Sequence, residues 1–293
     1  HRALTSGRPL AARYNAAVRL RRLSLDGFRC LAPLDLPLPP GRIVVAGRNG
    51  QGKSSLLEAV SALATTRAAH APNERDLIGW EREGQPMPFA RATCEIERGG
   101  RDLTLELLLT LQREPGSEAR LVKRLRVNGA PKRPVEAIGV LHVVLFTPRD
   151  LDLVDGAPAQ RRRYLDVLLC QLDREYTRAL SRYNRLLTQR NHLLRRLRER
   201  TADSGELAIW DQQLASEGGL ILARRLAAVC RLDALARDLH ADLVGAASDG
   251  PALRSTYVPG HLSASLGPPA DDARGLADAL LDALRRRRPV DVS

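Results

Sequence analysis

Cysteine is scarce in this sequence, and the few cysteines do not cluster. Cys30, Cys94, Cys170 and Cys230 lie far apart and form neither a CxxC pair nor a group with histidines. A structural zinc site is therefore not expected, because it needs closely spaced Cys or His ligands, and four scattered cysteines in a chain of this length do not form the dense framework of a disulfide scaffold. This use of cysteine fits a reducing compartment, and we expect the protein to be cytoplasmic.

Long hydrophobic runs are also missing. No stretch approaches the roughly 18 consecutive apolar residues of a transmembrane helix, and the N-terminus lacks the apolar core of a secretory signal. The chain of 293 residues is 44% hydrophobic and 27% charged, which is typical of a soluble globular protein. Residues 1–17 show no periodicity, and we expect a disordered or non-native leader that ends where patterning begins, at Val18.

Lysine is nearly absent, although the chain is strongly basic. Only Lys53, Lys123 and Lys132 stand among 46 basic residues, and the formal net charge is +12. A general bias towards arginine would raise the charge without any function. However, residues 160–200 hold twelve arginines and four carboxylates, a clustering that an even bias does not predict. The distribution favours an anionic partner such as nucleic acid.

The first half of the chain has the period-two pattern of β-strands. In residues 18–38 short apolar stretches alternate with polar residues. Three period-two segments follow, at 90–97, at 103–111 and one that ends with Leu125 and Val127, and these predict an antiparallel meander with one wet face. Two apolar runs, RIVVA at 42–46 and VLHVVLF at 140–146, also predict strands, the second buried on both faces.

After Pro158 the pattern becomes helical. Apolar residues from Tyr176 to Leu197 follow heptad-like spacing, and a second helical segment follows a short polar loop, which predicts an antiparallel helical hairpin. Residues 245–275 have the composition of a loop, and a last helix is expected to end before Pro289.

One motif carries recognisable chemistry. The segment GRNGQGKS matches GxxxxGK[ST] between a predicted strand and a predicted helix. Its glycines let backbone N–H groups surround phosphate oxygens, the lysine reaches the β- and γ-phosphates, and the serine hydroxyl ligates Mg²⁺. The predicted nucleotide-binding residues are Gly47, Arg48, Asn49, Gly50, Gln51, Gly52, Lys53 and Ser54, with Ser54 as the magnesium ligand.

Two other elements of a P-loop ATPase are not evident. No apolar strand ends in the acid that such enzymes use to hold the metal and water; Asp150 and Asp155 are the nearest candidates. Ser216–Gly219 is similar to an ABC-type signature, but it lies inside a helical pattern, so a helix break or kink is the favoured interpretation. No catalytic residue can be identified.

Three segments together resemble the RecF recombination-mediator family, which is related to the SMC and Rad50 ATPase heads. They are LRRLSLDGFR at 20–29, GRNGQGKSSLLEA at 47–59 and VLFTPRDLDLVDGAPAQRRRYLD at 144–166. The third segment is the most specific. Cys30 and Arg149 depart from the family pattern, which usually has Asn and Glu there.

The resemblance implies a fold and a domain order. The fold class is α/β, a P-loop ATPase head of the ABC/SMC type with a mixed sheet, an antiparallel meander and an inserted α-helical hairpin. We expect residues 18–160 to form part of the head, 161–250 the helical arm, and 251–293 a loop and helix leading back to the head. The family's signature segment and its Asp-Asp strand have no counterpart here, so we expect a piece of a longer protein.

The resemblance also implies a function. Such a protein is a weak, ATP- and Mg²⁺-dependent ATPase of recombinational repair and replication-fork maintenance, linked to the SOS response. Its implied partners are single-stranded, gapped or junction DNA, a second copy bound through ATP, and mediators such as RecR and RecO. Arg29 would contact the nucleotide, and Arg161, Arg162 and Arg163 would form a DNA or dimer surface.

Two alternatives stay open at this point. One is an unrelated P-loop enzyme such as a small-molecule kinase, which would need an acceptor pocket and would ignore DNA. The other is a nucleic-acid-binding fragment without catalysis, which the missing hydrolytic elements favour.

Overall fold

The computed structural model describes most of the chain as two compact units that divide between Asp150 and Leu151. The described residues are 18–68, 73–82, 84–112, 119–199, 205–244, 253–259 and 272–292. The predicted leader, residues 1–17, lies outside them, as does most of the loop predicted at 245–275.

The first unit is built on one antiparallel sheet with strand order β2-β1-β3-β4-β5-β6. The strands are β1 (Val18–Asp26), β2 (Leu34–Pro37), β3 (Phe89–Arg98), β4 (Arg101–Gln112), β5 (Arg120–Val127) and β6 (Ala130–Lys132). Helix α1 (Lys53–Thr65) and the single turn α2 (Pro134–Ala137) belong to this unit. The antiparallel meander that the alternation predicts is confirmed.

The alternation exists because the two faces of the sheet meet different surroundings. On one face the register brings Cys94 opposite Leu105, and both are buried with Leu63 of α1 in one apolar cluster. On the other face Glu106 of β4 lies between Arg91 of β3 and Arg126 of β5, at N–O distances of 3.6 and 3.8 Å. One face thus forms the core under α1, and the other carries solvated ion pairs.

The turn between β5 and β6 shows why the sequence places Asn-Gly there. Asn128 and Gly129 have φ of 51° and 76°, the left-handed conformation that a two-residue hairpin turn requires. Asn128 also pairs with β4, because its side-chain oxygen accepts from the Thr104 N–H and its own N–H donates to the Thr104 carbonyl, both at 2.8 Å. The turn therefore fixes the register of β6.

The strands predicted at 42–46 and 140–146 are corrected by the structure. Neither RIVVA nor residues 142–147 pairs with another strand in the described part of the chain, and Val44, Val144 and Phe146 are largely exposed. Only Val140 and Leu141 of the second run are buried. A strand needs a neighbour to satisfy its N–H and C=O groups, and the six paired strands use other partners.

The second unit is helical. Its helices are α3 (Asp152–Asp155), α4 (Pro158–Leu172), α5 (Arg174–Arg198), α6 (Glu206–Val244) and α7 (Ala273–Val292). Helices α5 and α6 form the predicted antiparallel hairpin. The evidence is the order of their contacts, since residues further along α5 pair with residues nearer the start of α6. The side-chain pairs are Tyr176 with Arg225 (3.1 Å), Arg182 with Glu217 (2.5 Å) and Arg190 with Asp211 (2.7 Å).

Helix α6 does not break at Gly218-Gly219, contrary to the expectation from the sequence. A Cβ on Gly219 would lie 2.4 Å from the carbonyl oxygen of Ala273 and 2.7 Å from Cβ of Ala277, both in α7. The glycines therefore allow α7 to approach the backbone of α6 closely, and the helix tolerates them because this packing offsets their low helix propensity.

Helix α7 continues through Pro289 to Val292, so the predicted end before the proline is also wrong. A proline removes one helical N–H donor and costs stability. Here the residues on either side of it are held by side-chain pairs. Arg288 donates to Asp211 at 2.7 Å, and Asp291 accepts from Arg190 at 2.9 Å. These pairs attach the last turn of α7 to α5 and α6.

Candidate nucleotide-binding site

The loop of residues 47–52 leads directly into α1, which begins at Lys53. Gly50 and Gly52 have φ of 82° and 86°, a left-handed conformation that side chains other than glycine rarely adopt. The loop rests on the segment after β1. A Cβ on Gly52 would lie 2.3 Å from Cδ2 of Leu31, and Sγ of Cys30 lies 4.0 Å from the Gly50 carbonyl oxygen.

Lys53 is held by the loop that precedes it. Its ammonium group donates to the carbonyl oxygens of Gly47 at 2.7 Å and Arg48 at 2.8 Å. The cation is therefore placed across the loop before any ligand binds, and a phosphate can replace the two neutral carbonyls with a stronger, charge-assisted contact. Ser54, the next residue, is exposed in the first turn of α1 and can offer its hydroxyl oxygen to a magnesium ion.

The N-terminus of α1 is open to an anion. Gly52 makes no side-chain cap, and the first turn of the helix contains no acidic residue. The first N–H groups of a helix have no intrahelical partner, and the helix dipole gives this end a partial positive charge. Together with Lys53, the loop has the donors and the charge that bind the phosphates of a nucleotide.

Arg29, predicted to contact the nucleotide, is fixed beside α1. Its backbone is left-handed, with φ of 54°, and its N–H donates to the carbonyl oxygen of Leu77 at 2.9 Å. The guanidinium makes two hydrogen bonds to Glu58, Nε to Oε2 at 3.0 Å and Nη2 to Oε1 at 2.8 Å. The Glu58 side chain is only 9% exposed. This pair holds Arg29 in one orientation and leaves Nη1 as the guanidinium nitrogen that does not bond to Glu58.

Sequence reasoning missed Glu58. A carboxylate on the buried side of α1 breaks the apolar pattern of that helix. This mismatch is the signal that could have found it, because a buried carboxylate needs a cationic partner. The partner lies 29 residues away, and the sequence alone does not identify it.

The structure does not assemble a metal-holding acid from the candidates in the sequence. Asp150 instead caps the 3₁₀ turn Pro148–Leu151, where its Oδ2 accepts from the N–H and the hydroxyl of Thr147 at 2.5 and 3.1 Å. Asp155 is exposed at the end of α3. Within the described residues, no group of three or more His, Cys, Asp or Glu side chains could hold a metal ion.

The arginines predicted as a DNA or dimer surface lie in the first turns of α4. Arg161, Arg162 and Arg163 are all exposed, but they are not equivalent. Arg161 donates from Nη1 to the carbonyl oxygens of Leu153 and Val154, both at 3.2 Å. Arg161 therefore also stabilises the end of α3.

The motif that ends at Asp166 has a structural role. Asp166 accepts from the hydroxyl of the buried Tyr176 at 2.5 Å and from Nη2 of Arg225 at 2.7 Å. Burial, with a smaller contribution from Asp166, raises the pKa of Tyr176 well above its ordinary value. Tyr176 is thus a protonated donor at neutral pH, and this cluster joins α4, α5 and α6.

Comparison with known proteins identifies the family. Residues 22–116 match a family model described as an AAA domain. The DNA replication and repair protein RecF of Herpetosiphon aurantiacus is 45% identical over 245 residues, 81% of this chain and 63% of that protein. RecF of Chloroflexus aurantiacus is 42% identical over 285 residues, 94% of this chain and 70% of that protein. The chain belongs to the RecF family.

RecF membership confirms the predicted fold class. A solved structure of the recombination mediator protein RecF–ATP in the RecFOR pathway superposes with a TM-score of 0.79, covering 94% of this chain and 68% of that one at 24% identity. The alternative of an unrelated P-loop kinase is therefore wrong. The chain spans about two thirds of the length of these RecF relatives. None of the helices described by the structure is long and apolar enough to cross a bilayer.

Proposed function

We propose that this RecF-family chain binds ATP with Mg²⁺ at Gly47–Ser54 and serves in the recombinational repair and replication of DNA. The observation that carries the proposal is the uncapped N-terminus of α1 beside the ammonium group of Lys53. The names of the relatives, a DNA replication and repair protein and a mediator solved with ATP, support this assignment.

Each residue of the site has a separate task. The loop amides and the first turn of α1 bind phosphate oxygens, and Lys53 leaves the carbonyls of Gly47 and Arg48 for the β- and γ-phosphates. The Ser54 hydroxyl ligates the metal, which when bound neutralises phosphate charge. Glu58 occupies Nε and Nη2 of Arg29. Its Nη1 is the group that we propose contacts the nucleotide.

The wider activity is proposed from family membership and charge. We propose a weak ATPase in the intact protein, which acts in the cytoplasm as part of the response to DNA damage. Its DNA is single-stranded, gapped or a junction, and it works as an ATP-dependent homodimer with mediators such as RecR and RecO. Arg161, Arg162 and Arg163 remain candidates for a DNA or dimer surface because all three are exposed.

Titration calorimetry with ATP and Mg²⁺ tests the nucleotide site. Lys53→Ala removes a charge-assisted hydrogen bond worth about 1.5–3 kcal/mol, so the affinity should fall at least about tenfold. Lys132→Ala is the matched control, because Lys132 is an exposed lysine of the same unit on β6. Circular dichroism should show the same helix content in all three proteins. Equal ATP affinity of Lys53→Ala and the unmodified chain would overturn the proposal.

A further inference from the structure

Helix α5 carries far more positive charge than the helix it packs against. Its 25 residues hold eight arginines and a single carboxylate, Glu175. Helix α6 has 39 residues with four arginines and six carboxylates. A uniform bias towards arginine would enrich both helices, so the excess belongs to α5. Glu175 offsets little of it, because it pairs with Arg224 of α6 at 3.1 Å.

Several of these arginines form one straight line on the helix. With about 100° between successive residues, Arg174, Arg178, Arg185 and Arg196 fall within about 40° of one another around the axis. All four are exposed, and they lie opposite the buried side of α5, where Tyr183 and Leu194 face α6 and its neighbours. We call these four residues the arginine stripe.

Two other arginines of α5 have different tasks. Arg190 is buried against Asp211, and Arg182 pairs with Glu217 through two hydrogen bonds. In contrast, no described residue forms a hydrogen bond or ion pair with the guanidinium group of Arg174, Arg178 or Arg185. If this face of α5 only had to be solvated, positive and negative side chains could alternate along it, as they do on the outer face of the sheet. The stripe instead keeps one sign of charge.

The length of the stripe fits a regular polyanion. At 1.5 Å per residue, Arg174 and Arg196 lie about 33 Å apart along the axis. One turn of B-form DNA rises about 34–36 Å. Guanidinium groups make charge-assisted hydrogen bonds to phosphate, and they do so without reading bases.

We propose that the arginine stripe of α5 binds the phosphate backbone of duplex DNA over about one helical turn. The choice of DNA as the partner rests on the proposed function as well as on the charge. The contact is independent of sequence and strongly dependent on salt, since each phosphate neutralised releases condensed counterions. The contact uses residues other than Gly47–Ser54, and it forms with duplex in the absence of nucleotide.

The test compares two triple variants of equal charge. Arg174→Gln, Arg178→Gln and Arg185→Gln remove three of the four arginines of the stripe while keeping long, helix-favouring side chains. The control replaces Arg101, Arg120 and Arg124 with Gln. These three arginines are exposed on β4 and β5 of the other unit and have no ion pair with a described residue. Fluorescence anisotropy with a labelled 20-base-pair duplex follows binding from low to moderate salt, without nucleotide.

We expect the stripe variant to bind at least about tenfold more weakly at moderate salt, with a slope of log K against log salt smaller by about 2.7, or 0.9 for each phosphate lost. The control should change affinity less than threefold. Equal losses in both variants, an unchanged slope in the stripe variant, or no duplex binding by the unmodified chain at low salt would each overturn the inference. An unchanged affinity together with weaker self-association in sedimentation velocity would also overturn it and make the stripe a contact between copies.

Nucleotide binding separates this inference from the proposed function. The stripe variant should keep the ATP affinity of the unmodified chain, whereas Lys53→Ala should keep nucleotide-free duplex binding. The midpoint of thermal unfolding shows whether the stripe variant is folded, and it should equal that of the unmodified chain. A failed ATP titration would thus refute the P-loop assignment and leave the stripe standing.

Discussion

The buried carboxylate of Asp211 should be among the most sensitive positions of the helical unit. Asp211 is fully buried and accepts from Nε of Arg190 and Nε of Arg288, each at 2.7 Å. Arg190 is itself 6% exposed and also reaches Asp291 at 2.9 Å. Burial alone lowers the pKa of Arg190, but its bonds to Asp211 and Asp291 outweigh burial and raise it.

The change Asp211→Asn keeps the shape and removes the charge. Arg190 is then left in the core with one carboxylate, while Arg288, at 30% exposure, can turn towards water. Breaking a buried ion pair from one side costs about 3–5 kcal/mol, and we expect a loss near the lower end because Asp291 remains. Total stabilities of domains are about 5–15 kcal/mol, so this one change should remove a large part of the stability.

Urea unfolding followed by Trp210 fluorescence measures this loss. Trp210 packs on the cluster that contains Leu197 and Leu207, one residue from Asp211. Trp80, the other tryptophan, is largely exposed in the first unit, so Trp80→Phe makes the signal specific to the helices. The control is Glu217→Gln, which breaks a second α5–α6 pair where Arg182 is half exposed, and which should cost about 0–1 kcal/mol.

Two outcomes decide the argument about Asp211. If Asp211→Asn costs no more than Glu217→Gln, the network is not a buried electrostatic contact and the reasoning is refuted. If the reasoning is right, Arg190→Met combined with Asp211→Leu should recover much of the loss, because removing both buried charges removes the desolvation penalty with them.

Two further predictions concern the loop and the packing of α7. ATP with Mg²⁺ should slow the alkylation of Cys30, which is exposed beside the loop, but not that of Cys230, which is also exposed. Mass spectrometry measures both rates. If ATP slows both cysteines equally, or slows neither, ATP does not bind at this loop. Gly219→Val places a side chain against the Ala273 carbonyl and should lower the free energy of unfolding in urea by about 1–3 kcal/mol. The control, Ala234→Val on the exposed face of α6, should lower it by less than half of that. Equal losses would show that α7 does not constrain Gly219.

Elements defined by local pattern were predictable from the sequence. The strands β3, β4 and β5 alternate because one face of an antiparallel sheet meets the core and the other meets water. The glycine-rich loop before α1 was evident as a candidate phosphate site because its glycines, lysine and serine stand at the fixed positions of the motif. The hairpin of α5 and α6 followed from heptad spacing, which includes Arg190 at the skipped apolar position.

The tertiary structure decided what depends on partners distant in sequence. RIVVA has the composition of a strand, but a strand exists only where another segment supplies hydrogen bonds, and none of the described strands does so. Glu58 is explained only by Arg29, and Asp211 only by Arg190 and Arg288. The helix through Gly218-Gly219 likewise depends on α7 packing against it. Periodicity and motif spacing are local properties of the sequence. Strand pairing and the burial of charged side chains depend on segments that are distant in sequence and become neighbours only in the folded protein.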